Sequence, residues 1–253
     1  MRLKVNLELL NDKAIDINYN YYITSLIYKF ISKSNIDFAN TLHEEGYSAG
    51  GKKFKLFTYS TLICHKYEIK ESYILFKDII TWYISSPVNE FILYFAQSLL
   101  NECTVNISEG EFQVLNVEVL KSPQFKNKMM FRCLSPIAVN TGTVVEGEFK
   151  QYYLSPENEK FIENIKNNLL RKYFALTNTL PNDLNFEMKI VNLDKCIKGK
   201  RINIKNSFIK GYNPIFEIKG SEELIKIGYE AGFGSKSSLG MGLVEVYYPK
   251  GKI

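Results

Sequence analysis

The chain has 253 residues, 45% of them hydrophobic, with 17 Tyr, 17 Phe and a formal net charge of +5. That supplies a real core for one large domain or two small ones, and a mild basicity that suits a polyanionic partner without requiring one. Four scattered cysteines (Cys64, Cys103, Cys133, Cys196) make no C-x-x-C pair, two histidines (His43, His65) are too few for a zinc site, and no apolar run reaches the roughly 18 residues needed to span a membrane.

Residues 2–9 alternate strictly, with Leu3, Val5, Leu7 and Leu9 on one face, and predict a half-buried strand. From about Tyr21 the period changes. Ile23, Leu26, Ile27, Phe30 and Ile31 form the stripe of an amphipathic helix, and Tyr28 lies off that stripe. Ser34-Asn35-Ile36-Asp37 reads as a cap for a short helix ending at Gly46, with His43 in its last turn. Residues 47–51 read as a mobile loop, followed by Lys52, Lys53 and Lys55 at the entrance to a strand over 54–63. A hairpin-like pair over 67–84, a helix over 88–100 and a strand over 112–120 complete a β-α-β-β-α-β order, with one extra short helix.

The basic, proline-containing stretch from Lys121 to Lys128 loses periodicity and marks a boundary, dividing the chain into 1–122 and 123–253. Beyond it, a strand region over 129–139 precedes a long helix opening at Ser155-Pro156-Glu157 and running to about Phe174. Strands over 185–191, 201–209 and 214–219, a helix over 221–231 and a last strand over 243–248 repeat the same order. The expected class is α+β: tandem ferredoxin-like (RRM-like) units with a C-terminal glycine-rich loop.

That loop, Gly232-Phe233-Gly234-Ser235-Lys236-Ser237-Ser238-Leu239-Gly240-Met241-Gly242, sets two Gly-apolar-Gly clamps around a polar tip carrying one lysine. Glycines let the backbone approach a ligand closely, and exposed N–H groups with Lys236 suit phosphate oxygens. The spacing is neither G-x-G-x-x-G nor a Walker loop, so a nucleic-acid backbone fits better than a nucleotide cofactor. Its plainer reading is a tight connection. His43 at a helix C-terminus, beside Glu44 and Glu45, is favoured as imidazolium and suits acid–base work on a phosphodiester; its plainer reading is a surface residue. A lysine ammonium at the scissile phosphate would stabilise the charge of a pentacoordinate transition state, although Lys52, Lys53 and Lys55 also read as a solvated strand end. Histidine, lysine and a tyrosine hydroxyl together suffice for metal-free cleavage of RNA by its own 2′-OH. Lys195, Lys198, Lys200, Arg201 and Lys205 form either an electrostatic footprint or a blunted strand edge. His65, beside Cys64, reads as structural.

These residues resemble one family. The glycine loop preceded by Gly228-Tyr229-Glu230-Ala231, the run Tyr21-Tyr22 to Leu26-Ile27-Tyr28, Leu42-His43, Lys55-Leu56-Phe57-Thr58-Tyr59-Ser60 and Leu134-Ser135-Pro136-Ile137-Ala138-Val139 are similar, in order, to segments of the CRISPR-associated repeat-processing endoribonucleases. The resemblance implies metal-independent cleavage of precursor CRISPR RNA within its repeats, leaving 2′,3′-cyclic phosphate and 5′-hydroxyl ends. It implies His43, Tyr28 and Lys55 as catalytic residues, with His43 as acid to the 5′-oxygen or base to the 2′-OH. Lys52 and Lys53 are rivals of Lys55, because the segment between His43 and Lys55 is longer than in the best-matching members. Gly232, Gly234, Ser235, Lys236, Ser237, Ser238, Gly240 and Gly242, with Lys52, Lys53, Lys198, Lys200, Arg201 and Lys205, are the expected RNA contacts. Two other readings stand beside this one: a non-catalytic repeat-binding subunit of the same machinery, and a generic single-strand RNA-binding module. The expectation is a cytoplasmic protein with reduced, mostly buried thiols, no cofactor, no metal and no membrane. Its partners would be repeat RNA, with other effector subunits and a second copy of the chain as further candidates.

Overall fold

Alternation does make Arg2–Leu9 a strand, with Leu3, Val5 and Leu7 fully buried on one face. In the computed structural model, which describes residues 1–145, 147–205 and 207–249, this strand lies at the centre of an antiparallel sheet. Its order is Thr58–Tyr59, Ile80–Ser85, Arg2–Leu9, Gly110–Leu120, Thr104–Ile107. Helices α1 (Asn20–Ser34) and α3 (Asn89–Glu102) pack against each other over it. A second sheet, Phe186–Ile190, Ile215–Gly220, Lys128–Cys133, Val244–Val246, has the same order of chain segments, with α4 (Lys160–Thr177) and α6 (Glu222–Ala231) as its helices. The fold is a tandem of ferredoxin-like units. A short helix α2 (Ile36–Glu44) is inserted in the first and a one-turn α5 (Leu193–Cys196) in the second.

One residue joins α1 to α2. The Asn35 N–H donates to the Ile31 carbonyl and closes α1, while its side-chain oxygen accepts from the Phe38 N–H and opens α2. The Gly46 N–H returns to the Thr41 carbonyl at 2.9 Å, with Gly46 at φ +61°, so the predicted stop holds.

The two units share one core, in which Phe131, Phe233 and Tyr229 continue the packing of the first sheet's residues. Arg2, 4% exposed, crosses between them. Its guanidinium donates to the Val244 and Tyr229 carbonyls at 2.8 and 2.7 Å and lies 3.7 Å from the centre of the Tyr229 ring. Burial pulls its pKa down to about 10.

Several expectations are corrected. Residues 47–51 are not a loose loop: Tyr47–Ala49 pairs with Lys52–Phe54 across a Gly50-Gly51 turn in which both glycines have positive φ. The strand expected over 54–63 is broken at Leu56, whose φ of +51° turns the chain; Thr58–Tyr59 then joins the sheet, and Ile63 adds an isolated bridge to Thr81. The segment 67–84 is a hairpin, Tyr67–Lys70 with Tyr73–Phe76, and then a separate strand from Ile80. Helix α4 starts at Lys160, because Ser155 accepts the Asn158 N–H and closes a turn first. The strand expected over 201–209 is a hairpin, Lys200–Ile204 with Ser207–Gly211, with Lys205 at φ +50° where the chain reverses; Asn206 lies outside the described residues. Asn140–Val145 and Glu148–Tyr153 form another hairpin that periodicity did not reveal. Only Cys196 is buried; Cys64 and Cys133 are half-buried, and Cys103 is exposed at the left-handed C-cap of α3.

Candidate active site

Helix α1 presents a polar edge beside its apolar stripe. Asn20, Thr24 and Tyr28 stand at i, i+4 and i+8, so they lie one above another. Tyr28 reaches the end of α2, where its ring meets the His43 ring edge-on at 5.2 Å and Phe57 at 6.0 Å. Burial pushes the Tyr28 phenol up to about 12, so it stays protonated at neutral pH. The His43 side chain is 67% exposed, with Nδ1 3.7 Å from a Glu44 carboxylate oxygen.

Lys55 arrives from beyond the 47–54 hairpin. Its ammonium donates to the carbonyls of Leu42 and His43, both at 2.6 Å, and Lys53 donates to the Glu44 carbonyl at 3.1 Å. The last carbonyls of α2, expected to act on the imidazole, are thus taken by two ammonium groups. Burial, then repulsion from Lys53, lowers the Lys55 pKa, with Glu44 opposing. Two of its three N–H donors are used, which leaves one for an incoming oxygen.

The glycine loop is held on three sides. Asn20 Nδ2 donates to the Leu239 carbonyl at 2.8 Å, Thr24 Oγ1 to the Ser238 carbonyl at 3.0 Å and Thr58 Oγ1 to the Met241 carbonyl at 2.9 Å, all from the first unit. From the Ser135–Val139 segment, Ala138 accepts both the N–H and the hydroxyl of Ser235, and Pro136 accepts the Gly242 N–H. Gly234 and Gly242 have φ of +80° and +81°, and a Cβ at either would strike a carbonyl, that of Ala138 or of Phe233. The third side is Lys172 of α4, 2% exposed. Its Nζ contacts the carbonyls of Ala231, Gly232 and Gly234 at 3.1, 2.6 and 2.9 Å and the Ser237 hydroxyl at 2.7 Å. Burial alone pulls its pKa down to about 7, for among the described residues no carboxylate pairs with it.

Between these parts runs a cleft of about 920 Å³. It brings together Tyr28, His43, Lys52, Lys53 and Lys55 with Gly234, Ser235, Lys236, Ser237 and Ser238. Gly232, Gly240 and Gly242 lie outside its lining and shape the loop from behind. Lys198, Lys200, Arg201 and Lys205 do not line it either. Arg201 stacks over Phe208 at 4.0 Å, and Lys205 sits 4.5 Å from the Tyr21 ring centre. Sequence reasoning placed the α4 helix but not its part in the site: Asn164, Asn167, Asn168, Arg171 and Lys172 complete the wall. Their signal was a polar stripe at i, i+3, i+4, i+7 and i+8. Among the described residues no group of three or more His, Cys, Asp or Glu could hold a metal ion.

Fold and site together define a tandem ferredoxin-like protein whose inter-unit cleft sets ammonium groups, an imidazole and a glycine loop around a space suited to a polyanion. The family model described as CRISPR-associated protein Cas6, N-terminal, matches residues 14–118, and that described as CRISPR associated protein Cas6, C-terminal, matches residues 120–246. The CRISPR-associated endoribonuclease Cas6 1 of Methanocaldococcus jannaschii is 37% identical over 246 residues, covering 96% of this chain and 92% of that protein. The chain belongs to the Cas6 family. Among solved structures, one described as a Cas6-related gene from Pyrococcus furiosus superposes with a TM-score of 0.87 at 30% identity, covering 98% of each chain. Another, described as an RAMP protein binding different RNA substrates, gives 0.85 at 26% identity, covering 98% of this chain and 100% of that one.

Proposed function

We propose that this protein is a metal-independent endoribonuclease that cuts CRISPR repeat RNA through attack of a ribose 2′-OH on the adjacent phosphodiester. The observation that carries this reading is the convergence of Tyr28, His43 and Lys55 at the cleft whose opposite wall is the glycine loop. Its relative from M. jannaschii, named an endoribonuclease, supports it. So does the structural neighbour described as binding RNA.

The 2′-oxygen bonds to phosphorus as the bond from phosphorus to the 5′-oxygen breaks, leaving a 2′,3′-cyclic phosphate and a 5′-hydroxyl. The 2′-OH proton must leave and the 5′-oxygen must gain one. Tyr28 stays a phenol, so it donates rather than accepts. We assign His43 as base to the 2′-OH and Tyr28 as the group that donates to the leaving oxygen. Lys55 stabilises the phosphorane charge while anchored to α2, and Lys236 and the loop hold the backbone.

The test is cleavage of the host's own repeat RNA in EDTA. Cutting is expected there, and a single 2′-deoxy at the scissile nucleotide should abolish it. His43→Ala should slow single-turnover cleavage by about 10²-fold or more, and the wild-type rate should rise as the imidazole loses its proton. A falling rate makes His43 the acid. Tight repeat binding without any cutting would identify a non-catalytic subunit instead.

A further inference from the structure

The α4 wall of the cleft plays no part in the proton transfers above. Asn164, Asn167, Asn168 and Arg171 stand at i, i+3, i+4 and i+7, and all four line the cleft with His43 and the tip of the glycine loop. The neighbouring face of the helix, Phe161, Ile165, Leu169 and Lys172, is buried against the second unit. Among the described residues, none of the four cleft-facing side chains makes a side-chain hydrogen bond or an ion pair. The carboxamide oxygen of Asn168 is fully buried with no partner at all. Such groups are nearly always satisfied, and this carboxamide is satisfied only if it turns toward the cleft, where a ligand donor can reach it.

This face carries no ammonium group of its own toward the cleft but three carboxamides and a guanidinium side by side on one helix. The other walls mix ammonium groups, which bind phosphate without regard to sequence, with the scattered carboxamides of Asn140 and Gln151. A carboxamide presents one donor and one acceptor side by side, and a guanidinium presents a donor fork. These match adenine at N6/N7 and guanine at O6/N7 respectively. Bases in an A-form helix turn these edges into a groove too narrow for side chains, so the strand that reaches them must be unpaired. From Asn164 to Arg171 the face runs about 10 Å, roughly three base steps.

We infer that Asn164, Asn167, Asn168 and Arg171 read the edges of unpaired purine bases next to the scissile phosphate, and so set which RNA the enzyme accepts. The inference rests on the proposed function, because it takes the cleft to hold RNA.

The experiment pairs two sets of molecules. Wild type and the Asn164→Ala, Asn167→Ala, Asn168→Ala and Arg171→Ala variants are each tested against the host repeat and a panel in which single unpaired purines are replaced by pyrimidines. Affinity is measured by fluorescence anisotropy and cleavage by single-turnover kinetics. Wild type should lose about tenfold in affinity at two or three panel positions. Each variant should lose that preference at one position while binding the substituted RNA as wild type does. Unchanged preferences, or a uniform loss across the panel, overturn the inference, the latter placing these residues on the backbone. Asn164 and Asn167 have no shut-in polar atom and Arg171 is exposed, so their variants carry the test should Asn168→Ala fail to fold. Because affinity is read separately, wild type that binds selectively without cutting overturns the proposed reaction but not this inference. Wild type that binds no repeat RNA overturns both.

Discussion

Lys172 is a cation on the apolar side of its helix, and its cost is visible in its titration. Its pKa falls from 10.5 to about 7 on burial. Between these values the unfolded chain holds one more proton than the folded one, so stability rises with pH across the window. Below about 7 both states carry the proton and the penalty is fully present. Above about 10 the trend reverses, because the buried phenols of Tyr19 and Tyr28, each pushed up to about 12, resist an ionisation the unfolded chain allows. Between pH 7.5 and 9 the wild type should therefore gain up to about 2 kcal/mol, a few degrees in Tm. Lys172→Met should lose that gain, which differential scanning fluorimetry across the two pH values would read. Sequence patterning could not find this residue. Its partners are carbonyls some sixty positions later, and a lysine beside an arginine in a helix reads as solvent-facing.

At the scale of elements, what the sequence disclosed was local. Asn35 and Gly46 announced the ends of α2 because a cap is written in neighbouring residues. Arg2–Leu9 announced itself because Leu3, Val5 and Leu7 alternate along one fully buried face. The 200–211 hairpin was read as one strand because Lys205, rather than glycine, occupies the left-handed position at its tip. Its basic residues lie off the cleft for the same reason: the chain doubles back and stacks them on Phe208 and Tyr21. The pairing of Tyr28, His43 and Lys55 was legible from their motifs, but not the way it is built, with Lys55 fastened to the end of α2. The loop, by contrast, has one cation at its tip. Lys236→Ala should weaken repeat binding severalfold while leaving the saturated single-turnover rate within about twofold, as a phosphate contact outside the reaction requires. The reverse pattern in the same kinetics would place the loop inside the chemistry.

For the whole molecule, the decisive feature is that the two units are not independent. Arg2, near the start of the first strand, satisfies two carbonyls of the second unit. Arg2→Ala strands both and should cost about 2–4 kcal/mol. The chain's one tryptophan, Trp82, is fully buried in the first sheet, so its fluorescence in urea reports that unit, while far-ultraviolet circular dichroism reports both. The two signals should share one midpoint in wild type and in the variant; separate midpoints would show that the units unfold independently.

The bonds from Asn20, Thr24, Thr58 and Lys172 to the glycine loop also govern timing. A loop tied down by both units has no closing motion left to make when a strand enters, so encounter is not gated by a slow rearrangement. Association is then set by diffusion and by the positive rim, and it slows with added salt. Departure has no door to open. On the proposed reaction, a cut strand leaves as its own contacts with the cleft let go, with no loop movement to wait for.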